Sequence, residues 1–139
     1  MSDSIAGAAI DPEIFKKVRE SIANALGLDE DEVVPEARMI DDLGAESLDF
    51  LDIVFRLERA FDIKIPRGGV ESQAKGGLKD GEVYEVEGVL TALGRAKLAE
   101  AMPEVPASEI REGIKASEIA TLFRVATFYR IVTSLLAEK

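Results

Sequence analysis

Apolar residues between Asp11 and Gly27 return at spacings of one, three and four: Ile14, Phe15, Val18, Ile22, Ala25 and Leu26. That rhythm places them on one face of a helix over 12–26. Asp11 followed by Pro12 suits its start, because a carboxylate accepts orphan N–H groups and proline tolerates the first helical position. Gly27 suits its end. From 28 to 45 the pattern breaks: Asp29, Glu30, Asp31 and Glu32 run together and Pro35 and Gly44 punctuate the stretch. Val33, Val34, Met39, Ile40 and Leu43 nevertheless recur, predicting a long loop pinned to a core. From Ser47 to Phe61 the helical signal returns. Asp49, Asp52, Arg56 and Arg59 make a polar stripe, and Leu48, Phe50, Leu51, Val54, Phe55, Leu57 and Phe61 cover the opposite side. Ile53 and Ala60 border the polar stripe, so this helix is expected to present apolar atoms outward.

Pro66 stops that helix, and 67–81 carries two Gly-Gly pairs among polar residues, the composition of a flexible loop. The residues 83–90 alternate imperfectly and predict a short extended segment. A helix follows over 91–102, with Thr91 as cap and Pro103 as stop. From Ser117, a candidate cap, apolar positions from Ile119 to Leu135 predict either one long helix or a short one breaking into a longer one. The elements assemble as an all-α bundle around one core. We read a single domain, 1–139, with an N-terminal core over 11–66, an inserted segment over 67–115 and a C-terminal helical part over 116–139.

Composition narrows the chemistry. The 139 residues include no cysteine and no histidine, which removes disulfides, thiol nucleophiles and the commonest general base and zinc ligand. A net charge of −10 from 27 acids and 17 bases repels nucleic acid and anionic membranes and steers the chain toward basic partners. The run MSDSIAGAAIDPE has no basic region and no apolar stretch of signal length, and no other stretch approaches a membrane span. A cytoplasmic location is expected. Asp29–Glu32 lacks the glycine and spacing of a calcium loop, and the Gly-Gly pairs lack the ending of a phosphate loop. The adjacent acids Asp41 and Asp42 make a poor catalytic pair, with no apolar pocket evident to raise one pKa.

The segment Asp41-Asp42-Leu43-Gly44-Ala45-Glu46-Ser47-Leu48-Asp49 is where the functional signal concentrates. A serine at a helix N-terminus is exposed, and the orphan N–H groups and helix dipole there stabilise an added phosphate. The commoner role of such a serine is simply to cap. The segment resembles the phosphopantetheine attachment motif of acyl carrier proteins, D-x-L-G-x-D-S-L, which Asp42, Leu43, Gly44, Ser47 and Leu48 match. Glu46 stands in place of the usual aspartate. The resemblance runs from Asp11 to Pro66 and resumes weakly in the C-terminal helix. Ile40–Gly44 and Leu48–Phe55 look most like the specialised carriers that deliver very long acyl chains to lipid A.

The resemblance implies an acyl-carrier-type four-helix bundle, with an extra segment inserted before the C-terminal helices. It implies a carrier and not an enzyme, with 4′-phosphopantetheine covalently attached to Ser47 and acyl groups borne on it as thioesters. Asp42, Leu43, Gly44, Glu46 and Leu48 would support the motif, with Leu43 and Leu48 anchoring the serine loop to the core. The partners implied are a phosphopantetheinyl transferase, and acyl synthases and acyltransferases with basic docking patches. The chain itself is expected to be monomeric. Seven acids against two bases lie between Asp41 and Asp62. Docking is assigned to Asp49, Asp52, Ile53 and Glu58, although a charge run can also be plain solvated surface. Arg56 and Arg59 depart from the family, whose relatives are more acidic there. The insertion is either a surface elaboration or a device for chain accommodation or partner choice. An unmodified, carrier-like interaction module is the alternative function.

Overall fold

The computed structural model describes residues 4–5, 8–65, 78 and 80–138. Their α-helices are α1 (Pro12–Leu26), α2 (Ser47–Phe61), α3 (Ala92–Ala101) and α4 (Val125–Ala137). Two-residue strands β1 (Ser4–Ile5) and β2 (Ala8–Ala9) form one antiparallel pair, and β3 (Glu85–Val86) and β4 (Val89–Leu90) another. The expected loop over 67–81 lies, Leu78, Asp80 and Gly81 apart, outside the described residues. The chain forms two compact units, Met1–Ile65 with Phe123–Lys139, and Pro66–Leu122.

In the first unit, α1 starts where its local chemistry dictates. Asp11 Oδ1 accepts the N–H groups of Glu13 at 3.0 Å and Ile14 at 3.2 Å. Gly27, at φ 69°, closes the other end with its N–H on the Ala23 carbonyl. Helices α1, α2 and α4 pack against one another. Val18, Ile22, Ile53, Leu57, Val125, Phe128 and Val132 meet in the core, together with Val33 and Met39 from the intervening loop. That loop is irregular, apart from a 3-10 turn at Glu30–Glu32, yet it is tied to the start of α4 through its backbone. The Met39 N–H donates to the Phe123 carbonyl (2.9 Å), and the Val125 and Ala126 N–H groups donate to the carbonyls of Ala37 (3.0 Å) and Pro35 (2.9 Å). Buried backbone groups left unpaired are costly, so these bonds help fix the path of the loop.

Two groups of aromatic contacts tie the helices together. Phe50 of α2 meets Phe123 and Phe128 at centroid distances of 5.8 and 6.0 Å, and those two meet each other at 5.7 Å. Phe15 of α1 lies 5.9 Å from Tyr129 of α4, whose hydroxyl oxygen accepts the Asp11 N–H at 2.7 Å. One bond thus joins the α1 cap to α4.

The second unit is built around a hairpin and one helix. Glu87 and Gly88 both have positive φ, 51° and 84°, the geometry a two-residue hairpin turn requires. Thr91 caps α3 as the sequence predicts: its Oγ1 accepts the Gly94 N–H at 2.9 Å and donates to the Val83 carbonyl at 2.6 Å. The second of the two C-terminal alternatives is realised, with a 3-10 helix over Ala116–Leu122 preceding α4. That 3-10 helix clusters with the second unit. Its entry is tied to the hairpin by the Ala116 N–H on the Gly88 carbonyl (2.8 Å) and the Leu90 N–H on the Ile114 carbonyl (3.0 Å). Glu118 accepts the Lys115 N–H at 2.9 Å and pairs with Arg111 at 2.9 Å. That backbone bond, then the Arg111 guanidinium, hold its carboxyl below the usual carboxylate range.

Gly94 is where the hairpin and α3 approach most closely, since a Cβ there would collide with the backbone carbonyl of Tyr84. Backbone cannot swing aside as a side-chain tip can. Gly94→Ala is therefore expected to destabilise this unit by about 1–3 kcal/mol, despite alanine's better helix propensity. Faster exchange of the Leu90 and Leu98 amides, with those of Ile22 and Leu57 unchanged, checks it.

Candidate functional site

Helix α2 begins at Ser47, but Ser47 is not its cap. Glu46 takes that position in an extended conformation, φ −111° and ψ 172°. The bond that secures the end runs backward: the Glu46 N–H donates to Asp49 Oδ2 at 2.8 Å. Ser47 is exposed, and its hydroxyl enters no hydrogen bond among the described residues. Its N–H and that of Leu48 lie in the first turn, where no helical carbonyl precedes them. The serine is therefore free of a structural duty and stands beside donors and a positive helix end.

The preceding loop holds this end in place. Asp42 Oδ2 accepts the Arg38 N–H at 2.8 Å, and Arg38 pairs with Asp41 at 3.6 Å. Gly44 adopts φ 72°, its N–H bonds the Ile40 carbonyl at 3.1 Å, and no atom lies within 4 Å of where a Cβ would sit. Only glycine takes that backbone without strain, and the space in front of it is open. Leu43 is half-buried against the core, and the neighbouring Ala45 is buried.

Two expectations about α2 are corrected. Leu48 does not anchor the serine loop: it is 78% exposed. Ile53 does not reach a partner, being fully buried in the core. With 100° per residue, Phe50, Ile53, Leu57 and Phe61 share the inward side, which rotates the apolar core face away from where the longest hydrophobic run suggests it. Leu51 (38% exposed) and Phe55 (45%) then fall beside Leu48 on the outward side, although the sequence pattern assigns both to the core. The available signal was excess: α2 carries more large apolar residues than one face holds.

The three acids expected to dock are partly engaged at home. Asp49 holds the helix end, Asp52 pairs with Arg56 at 3.0 Å, and Glu58 accepts the Ile65 N–H at 2.8 Å. Among the described residues no group of three or more candidate ligands could hold a metal ion. No helix there is long and apolar enough to cross a membrane.

The site is thus an exposed serine hydroxyl on the first residue of an amphipathic helix, with an open glycine three residues before it. Residues 16–68 match the family model described as the phosphopantetheine attachment site. The acyl carrier protein of Syntrophobacter fumaroxidans is 50% identical over 56 residues, 40% of this chain and 69% of that protein. That of Thermotoga maritima is 48% identical over 59 residues, 42% of this chain and 73% of that protein. Acyl carrier protein AcpXL of Brucella melitensis is 56% identical over 52 residues, 37% of this chain and 56% of that protein. The chain belongs to the acyl carrier protein family. Its family cofactor is phosphopantetheine, and it acts as a carrier and not as an enzyme.

Proposed function

We propose that Ser47 is the attachment residue and contributes its hydroxyl oxygen to the phosphodiester of 4′-phosphopantetheine. The observation that carries this is the exposed hydroxyl at the first position of α2, with the capping bond supplied by Asp49. The residues present fit the group: the Ser47 and Leu48 N–H groups favour a phosphate, and Gly44 leaves a transferase room. When bound, the arm supplies the thiol that this cysteine-free chain lacks.

The outward side of α2, with Leu48, Leu51 and Phe55 at its centre, docks the enzymes that load and unload the arm. Exposed large apolar residues on a charged helix are what a transient interface uses. The cargo is a long acyl chain of the kind delivered to lipid A, a reading supported by the likeness to AcpXL over 52 residues. The segment between α2 and the C-terminal helix, 67–115, is an insertion into the carrier domain, and the protein works as a cytoplasmic monomer.

Incubation with a phosphopantetheinyl transferase and coenzyme A is expected to add one arm, seen in the intact mass and mapped to the peptide holding Ser47. An unchanged mass would favour an unmodified interaction module.

A further inference from the structure

Helix α2 does not present one charge to a partner, and the change along it is specific. At the Ser47 end the stretch 38–49 carries Asp41, Asp42, Glu46 and Asp49 against one base, Arg38. One turn on, Asp52 is met by Arg56 at 3.0 Å, which cancels the acid that would otherwise extend the negative end. Beyond Phe55, Arg59 is exposed and makes no ion pair among the described residues. At 100° per residue Arg59 lies within about 40° of both Leu48 and Phe55 on the helix circumference, so it continues the outward apolar stripe. Glu58 is turned to the Ile65 N–H at 2.8 Å, and Asp62, the exposed residue that closes the helix at φ 53°, keeps its carboxylate one turn beyond Arg59, so this end is close to neutral where the Ser47 end is acidic, with Arg59 as its cation on the outward stripe.

Twelve residues at about 1.5 Å each place Arg59 roughly 18 Å from Ser47 along α2. That is about twice the distance over which exposed charges feel one another at physiological salt. A partner therefore meets the two ends as separate electrostatic features.

We infer that Arg59 is a specificity-determining residue: the enzymes that serve this carrier present basic groups around the mouth that receives the arm, an apolar patch for Leu48, Leu51 and Phe55, and a carboxylate that meets Arg59. A uniformly basic patch is penalised at the Arg59 end, because like charges brought together at an interface act against the wrong partner. The inference rests on the docking role proposed for α2.

The test uses the acyl-loaded protein with the condensing synthase and the acyltransferase of its own source organism, and compares wild type with Arg59→Glu, Arg59→Lys and Arg59→Ala. Intact mass first establishes the arm on each; a wild type that takes no arm overturns the carrier reading before docking is tested. With the arm in place, Arg59→Glu is expected to lower kcat/KM roughly three- to tenfold at low salt with at least one of the two enzymes, a loss that fades as salt rises. Arg59→Lys should retain most of the rate and Arg59→Ala fall between. Unchanged or faster turnover of Arg59→Glu with both enzymes overturns the inference while leaving the carrier function intact.

Discussion

Replacing Ser47 by alanine is expected to abolish attachment of the arm completely while leaving the fold as stable as before. The first half follows from chemistry: no other hydroxyl stands at the start of α2, and the chain has no cysteine to substitute as the carrier thiol. The second half follows from the geometry of the helix end. A serine that caps costs about 1 kcal/mol when truncated, but Ser47 is the residue after the cap, and the end is secured between Glu46 and Asp49 at 2.8 Å. Alanine is at least as good a helix former at that position. Stability should therefore stay within about 0.5 kcal/mol of wild type. Intact mass after incubation with transferase and coenzyme A, set beside thermal unfolding, measures both. An arm still present on Ser47→Ala would move the attachment site elsewhere; a lost arm together with a lowered Tm would mean that Ser47 has a structural task the hydrogen bonds do not reveal.

What the sequence makes legible, and what it hides, divides along the range of the interactions. Asp11, Pro12 and Gly27 act within a few residues of themselves, so the ends of α1 can be read directly, and Thr91 announces α3 in the same way. The attachment segment is legible for a related reason: its features sit in nine consecutive residues from Asp41 to Asp49. The inward side of α2 is not local. Which of two apolar stripes faces the core is settled by α1 and α4, and the residues of both stripes are equally hydrophobic in sequence. The cap is missed because Asp49 reaches back to the Glu46 N–H, a role that competes with the docking role its charge suggests. The hairpin is half-hidden because Glu87, a poor candidate for positive φ, occupies a turn position normally given to asparagine or glycine. The 3-10 helix at Ala116–Leu122 joins the second unit through the Ala116 N–H bonded to Gly88, a contact twenty-eight residues distant in sequence that no periodicity records.

The correction at Ile53 leads to the second large effect. Ile53→Asp and Leu48→Asp place the same charge on the same helix five residues apart, and their consequences are expected to differ in kind. Ile53 has no exposed surface and packs in the core with Val18, Leu57 and Phe128. A carboxylate there loses the transfer energy of the isoleucine side chain and must either remain charged without a partner or be neutralised at a cost in pKa. Together these amount to about 4 kcal/mol or more, a large share of the roughly 5–15 kcal/mol by which a domain is stable. For a unit of this size the fall in Tm is roughly 15–30 °C. Leu48, 78% exposed, has little burial to lose, and a charge there stays in water. Leu48→Asp should keep its Tm within about 3 °C of wild type, yet interrupt the apolar stripe beside Ser47 and slow loading of the arm at least tenfold, since a charge introduced at the centre of an interface must be desolvated each time a partner docks. Thermal unfolding and the initial rate of arm attachment, measured on both variants, separate the two roles: a cooperative, wild-type-like Tm for Ile53→Asp would reverse the assignment of the inward side, and an unaltered loading rate for Leu48→Asp would remove the outward stripe from the docking surface.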